Sequence, residues 1–140
     1  MKISTKGRYA LRLMLDLALA GTGTPVSLRD VAMRQDISDK YLEQIVTPLA
    51  RAGLVRSVRG AGGGYLLTRA PEEYTVGEIL RPLEGNLAPV GCVEGDACCG
   101  RAEGCVTREV WEQIAVAVAG VVDHITLRDL VERVHEKTGS

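Results

Sequence analysis

The chain has 140 residues, 46% hydrophobic and 25% charged, with a net charge of −1, which suits one compact unit with an appended element. The charge is unevenly placed: residues 1–70 hold 11 Lys/Arg against 5 Asp/Glu and residues 71–140 hold 6 against 13, so the first half is the candidate for binding a polyanion. The longest apolar run, 114–122, falls far short of the roughly 18 residues a membrane helix needs, and no membrane role is expected.

A first helix is expected over 5–20, where Ala10, Met14 and Leu17, and beside them Leu11, Leu15 and Ala18, recur at helical spacing. Arg12 and Asp16 interrupt the apolar run, so it is not the core of a secretory signal, and the protein is expected in the cytoplasm. After a turn at 21–25, Ser27-Leu-Arg-Asp30 has the form of a capping box and opens a short helix to about Gln35. Ser38 caps the next helix, DKYLEQIVTPLARA, which Gly53 ends; Pro48 within it lacks an N–H and should kink it. Two short helices so close together, with Leu28, Val31, Ala32, Ile37, Leu42 and Ile45 as their core, have helix-turn-helix geometry. A plain helical hairpin has the same pattern.

The following segment favours the former. LVRSV (54–58) and YLLTR (65–69) read as short strands joined by the glycine-rich tip RGAGGG (59–64). The glycines are no Walker loop, because no Gly-Lys-Ser/Thr follows, and Tyr65 stands where a dinucleotide fingerprint needs its third glycine. A hairpin directly after a helix-turn-helix is a wing. Arg56 and Arg59 at its base suit phosphates or a narrow minor groove, and a glycine tip lets backbone approach closely.

Thr75-Val-Gly-Glu78 reads as a full capping box opening a helix to Leu83 or Glu84. Thr107 is expected to cap a long helix of about 18 residues, roughly 27 Å. It carries two apolar stripes, Val110, Ile114, Ala117, Val121 and Trp111, Ala115, Val118, Val122. A helix apolar on two sides needs a second partner, which another copy of the chain supplies; a helix fully buried in a monomer is the alternative. Thr126-Leu-Arg-Asp129 opens a final helix that ends near Lys137.

All four cysteines, Cys92, Cys98, Cys99 and Cys105, lie in CVEGDACCGRAEGC, spaced C-x5-C-C-x5-C. No hydrophobic period crosses this stretch, so it reads as an exposed loop. Inert buried thiols would need apolar neighbours, and a chain of this length needs no disulfide staples. Converging thiolates suit an iron–sulfur cluster or zinc, and the C-x2-C knuckles of zinc sites are missing. An enzyme is not expected: there are two histidines, neither near the cysteines, and no nucleophile–base pair is visible.

MKISTKGRYALRLMLDLA, SDKYLEQIVTPLARAGLVRSVRGAGGGYLL and TVGEIL, followed by the cysteines, resemble the IscR-like (Rrf) family of winged-helix transcription regulators, from Met1 to about Leu130. The resemblance implies a mainly α fold with a small β-hairpin wing. It also implies three parts: a winged helix-turn-helix at 1–84, a cluster-binding loop at 85–106, and a dimerisation helix with a C-terminal helix at 107–140. The implied partners are a double-stranded DNA operator and a second copy of the chain, joined across 107–124. The implied cofactor is an iron–sulfur cluster, 2Fe-2S in preference to 4Fe-4S, whose state controls cluster biogenesis genes. Control by nitric oxide, redox state or cysteine metabolism is the alternative within the same fold; a ferredoxin-like electron carrier belongs to a different class.

The resemblance places Lys40, Tyr41, Glu43 and Gln44 at the groove-facing start of the recognition helix and Arg59 on the wing, and Ser38, Arg56, Ser57 and Gly60 beside them are also expected to contact DNA. Gln44 can pair with adenine, and Glu43 can accept from cytosine N4 or repel phosphate. A solvated helix face is the plainer account of Lys40 and Gln44. The family loop is C-x5-C-x5-C, whereas this one has an extra residue and an extra cysteine, so Cys98 and Cys99 compete for the middle place. Neighbouring side chains on extended backbone point to opposite sides, which favours one middle thiolate. Relatives ending the loop C-L-T-H take histidine as fourth ligand; here Cys105-Val-Thr-Arg108 offers a guanidinium, which cannot ligate iron. Another branch takes aspartate at position 8, where this chain has Arg8. The fourth ligand stays open among the second of the paired cysteines, a nearby carboxylate and His124.

Overall fold

In the computed structural model, which describes residues 2–89 and 105–139, the order of elements is α1 (Thr5–Leu19), α2 (Leu28–Gln35), α3 (Asp39–Arg51), β1 (Val55–Val58), β2 (Gly64–Leu67), α4 (Val76–Glu84), α5 (Val106–Val122) and α6 (Leu127–Thr138), with a 3-10 turn at Pro71–Glu73. The class is mainly α with one hairpin, as the periodicities predict.

Most of the helices start where a short polar side chain replaces the missing carbonyl. Ser4, Ser27, Ser38, Thr75 and Thr126 are extended, and each accepts from the backbone N–H three residues on. Each such cap is worth about 1 kcal/mol. At Thr126 the box is complete, because the Asp129 carboxylate returns to the Thr126 N–H at 2.9 Å. At Thr75 the hydroxyl half of the box is present at 3.1 Å, and the Glu78 carboxylate, which also feels the Thr75 backbone N–H, makes its 2.7 Å bond to the Arg69 guanidinium. The helix α3 runs through Pro48 to Arg51, so the expected kink does not end it.

The core gathers around α1. Ala10, Leu13 and Met14 are wholly buried against Val31, Leu42, Ile45, Leu49, Tyr74, Ile79 and Leu127. The strands pair antiparallel, Val55 with Leu67 through Val58 with Gly64. Val26, just before α2, bridges to the hairpin by exchanging hydrogen bonds with Tyr65 at 3.0 and 2.8 Å. The wing is thereby tied to the segment that enters the helix-turn-helix. A Cβ on Gly64 would overlap the Val26 carbonyl, so glycine permits this close approach.

The long helix behaves differently. Not one residue of α5 is buried in the protomer. Val118 and Val122 pack with Val76, Leu80 and Leu87, while Val110 and Val121 stay 49% and 56% exposed. A helix fully buried in a monomer is not what is found: among the described residues, Val110, Ala117 and Val121 of one apolar stripe stay exposed.

Candidate functional site

The turn between α2 and α3 is tight because Asp36 takes the left-handed conformation, φ 53°, and donates its N–H to Ala32. Ser38 then commits its hydroxyl to the Tyr41 N–H at 3.1 Å, so its first role is to start α3. Leu42, Ile45, Val46 and Leu49 are buried, which turns Lys40, Glu43, Gln44, Thr47 and Arg51 outward along one stripe. Among the described residues, the side chains of Lys40, Glu43 and Gln44 have no hydrogen-bond or ion-pair partner. Tyr41 is different. It is half-buried, and its ring meets Tyr9 edge-on at 5.8 Å, so it braces α3 against α1.

That brace extends to a group the sequence did not single out. Arg12 lies over the Tyr9 ring at 5.3 Å and donates to the Gln35 side-chain oxygen at 2.9 Å. Gln35 donates in turn to Asp16 at 3.1 Å, and Arg34 donates to both Asp16 oxygens at 3.0 and 2.6 Å. Asp16 is the charged residue the core encloses, 6% exposed. An acidic residue inside an apolar stripe was the available signal, since buried carboxylates are almost always paired.

On the wing, Arg56 pairs across with Leu66 and Ser57 with Tyr65, and both side chains are exposed. Arg59 and Gly60 follow in the tip, also exposed. The Gly63 N–H bonds the Gly60 carbonyl at 3.0 Å, closing a turn with Gly62 at φ 76° in its third place, as a type II turn requires. The arginines Arg56 and Arg59, like Lys40, Glu43 and Gln44, carry free side chains among the described residues.

Of the cysteine site, Cys105 lies within the described residues; Cys92, Cys98 and Cys99, and with them the centre of the predicted loop, lie outside. Cys105 occupies the N-cap of α5, the place predicted for Thr107. Thr107 instead sits in the first turn with its hydroxyl 3.2 Å from the Cys105 sulfur. That hydrogen bond, then the Arg108 backbone N–H, holds the thiol below its usual pKa. The thiolate is the form that ligates iron, so the donor fits the cluster expected here. Arg108 pairs with Glu112 one turn along its own helix. His124 follows the far end of α5, about 28 Å from Cys105 along the axis, which removes it as a fourth ligand within one protomer. No described helix is long and apolar enough to cross a membrane.

Comparisons with known proteins agree with this arrangement. A family model described as Rrf2, iron-dependent transcriptional regulator, matches residues 3–133. Protein rrf2 of Nitratidesulfovibrio vulgaris is 43% identical over 131 residues, 94% of this chain and 87% of the relative. The solved structure of CymR, the global cysteine regulator of B. subtilis, superposes with a TM-score of 0.80 at 45% identity, covering 95% of this chain and 98% of that one. IscR of T. potens superposes with a TM-score of 0.79 at 43% identity, covering 98% and 90%.

Proposed function

The chain belongs to the Rrf2 family of transcription regulators, and from that membership we propose a cytoplasmic, homodimeric, operator-binding regulator whose cysteine loop holds an iron–sulfur cluster. A regulator of this family binds DNA and is not an enzyme. The observation that carries the DNA-reading assignment is the exposed row on α3 together with the free arginines of the wing. In this reading α3 enters the major groove, where Gln44 pairs with adenine and Glu43 accepts from cytosine N4. Lys40 and Arg56 meet phosphates, as do the Ser57 hydroxyl and the Gly60 backbone. Arg59 enters a narrow minor groove. Ser38 and Tyr41 contribute by fixing where α3 begins.

We assign DNA binding to 1–84, sensing to 85–106 and pairing to 107–140. Cys92, Cys105 and one of Cys98 and Cys99 would hold the cluster, 2Fe-2S in preference to 4Fe-4S, with Glu109 one turn into α5 as a carboxylate within chain reach of Cys105. Bound there, the cluster would supply sensitivity to redox state. The loop joins α4 to α5, so a change in its geometry is felt by the pairing helix and by the helix next to the wing. It alters DNA affinity only if the two arrangements bind DNA with different energies. Cluster biogenesis genes are the proposed targets. The likeness to the global cysteine regulator of B. subtilis favours cysteine metabolism as the second reading.

Two measurements test this. Duplex affinity followed against salt should fall with a log–log slope of roughly −5 to −9, for about 6–10 phosphates neutralised by a dimer; a flat profile refutes DNA binding through the basic half. Single alanine variants at Cys92, Cys98, Cys99 and Cys105, purified without oxygen, should lose iron at Cys92 and Cys105. Normal iron in either would remove the cluster from this reading.

A further inference from the structure

Tyr74 occupies the point where the hairpin leaves the body, and it is wholly buried. Beyond the Val55–Leu67 pair, the next rung of the ladder would join Leu54 to Thr68. The Tyr74 hydroxyl stands between them instead. It donates to the Leu54 carbonyl at 2.7 Å and accepts from the backbone N–H of Thr68 at 2.8 Å and of Arg69 at 3.1 Å. One side-chain oxygen therefore ends the ladder, and the spacing of the two strands at their base is set by a hydroxyl placed between them.

The same residue is anchored on its other side. Its carbonyl accepts from Leu127 at 3.0 Å, and Val76 beside it donates to Ile125 at 2.9 Å, so its backbone is pinned to the segment leaving α5. Arg69 lies over the ring at 5.1 Å and bonds Glu78 in the first turn of α4 at 2.7 Å. One turn on, Arg81 grips Asp123, the residue at the end of α5, through two bonds of 2.6 and 2.9 Å. An apolar ring of the same size would fill the same core volume. The hydroxyl adds direction, not volume.

We propose that Tyr74 is a positioning residue for the wing, setting the angle at which the hairpin meets DNA and keying that angle to the end of α5. The inference rests on the reading of Arg59 as a minor-groove arm. A·T-rich flanks narrow the minor groove and attract an inserted arginine, so the ratio of affinities for A·T-flanked and G·C-flanked duplexes reports wing insertion. A uniform change in charge or in folded fraction cancels in that ratio. The full-length protein should prefer A·T flanks by about tenfold, and Tyr74→Phe should bring the ratio to within about twofold of unity while G·C-flanked affinity is kept. Arg59→Ala is the control. If it keeps the parent ratio, wing insertion fails and this inference falls with it. If it abolishes the ratio while Tyr74→Phe keeps it, this inference alone is overturned. Should Tyr74→Phe not fold, Glu78→Ala decides, because it removes the acceptor that ties Arg69 to α4 from outside the core. A ratio reduced about threefold or more then supports the proposal, and the parent ratio overturns it.

Discussion

At Asp16 a single carboxylate holds together what the apolar residues around it cannot orient. Hydrophobic burial is non-directional, so Leu13 and Met14 can drive α1 onto its neighbours without fixing the angle of α2. The bonds from Arg34 and Gln35 fix that angle, and through Arg12, Tyr9 and Tyr41 they reach α3. Removing one partner of a buried pair costs about 3–5 kcal/mol where the other stays buried. Here Arg34 is 52% exposed and can rehydrate, so Asp16→Ala is expected to cost less, about 2 kcal/mol, in urea unfolding. Glu43 works in the opposite sense. In the proposed docking of α3, Glu43 is an anion on a groove-facing turn that must find a base donor or be repelled, so it would act by excluding sites. Selection from a random duplex pool should give a broader operator set for Glu43→Ala than for the parent. An identical sequence preference would remove Glu43 from the reading.

Between elements, the junction of α1 and α4 turns on a close approach. The Glu84 carboxylate accepts from the Ser4 N–H at 2.9 Å and from the Ser4 hydroxyl, adding negative charge to the start of α1. A Cβ on Gly7 would fall on that carboxylate. Alanine inside a helix normally gains about 1 kcal/mol over glycine. Displacing Glu84 would break both of its bonds to Ser4 and lose more, so Gly7→Ala is expected to lower the melting temperature, not raise it. Beside the apolar contact of Val118 and Val122 with Val76 and Leu80, α4 and α5 are joined by the Arg81–Asp123 ion pair, and that part of the tie answers to acid. Asp123 and Glu78 are held below their ordinary pKa values, chiefly by hydrogen bonds from Arg81 and Arg69. A depressed carboxyl stabilises the fold above its unfolded value, about 4, and that contribution disappears as pH falls through the folded value. Both groups are more than a third exposed, and solvent screens them. The melting temperatures of the parent and Asp123→Asn should differ at pH 7 and converge below about pH 4. A constant gap would mean that the Arg81–Asp123 pair adds no pH-linked stability.

For the molecule as a whole, α5 is the unfinished surface. Ile3, Leu80, Ile114, Ala117 and Val121 line an apolar groove of about 500 Å³ that the described residues leave open. A second copy would close it. Because Val121 takes no part in the protomer core, Val121→Glu should leave the fold and its unfolding cooperativity intact while sedimentation shifts to the monomer. Operator affinity should fall with it, since two half-sites would no longer be bound through one linked molecule. A Val121→Glu protein that still sediments as a dimer would place the interface elsewhere.

The helix starts at Ser27, Ser38 and Thr126, the wing with its glycine tip, and the amphipathic faces were all legible in the sequence. The signals that carry them act between residues two to four apart, so a window a few residues wide contains the physics. The grouping of four thiols within fourteen residues was legible for the same reason. The contacts that orient these pieces were not. Asp16 meets Arg34 across 18 residues, Tyr74 meets Leu54 across 20, Arg81 meets Asp123 across 42 and Ser4 meets Glu84 across 80. No period links such residues, and each has several chemically equivalent partners along the chain. Spacing alone likewise kept His124 as a possible ligand beside Cys105, until the length of α5 put the two at opposite ends of one helix. Which charge meets which is decided only when packing brings distant segments together, because a hydrogen bond needs its partners within about 3 Å and chain order does not measure that distance.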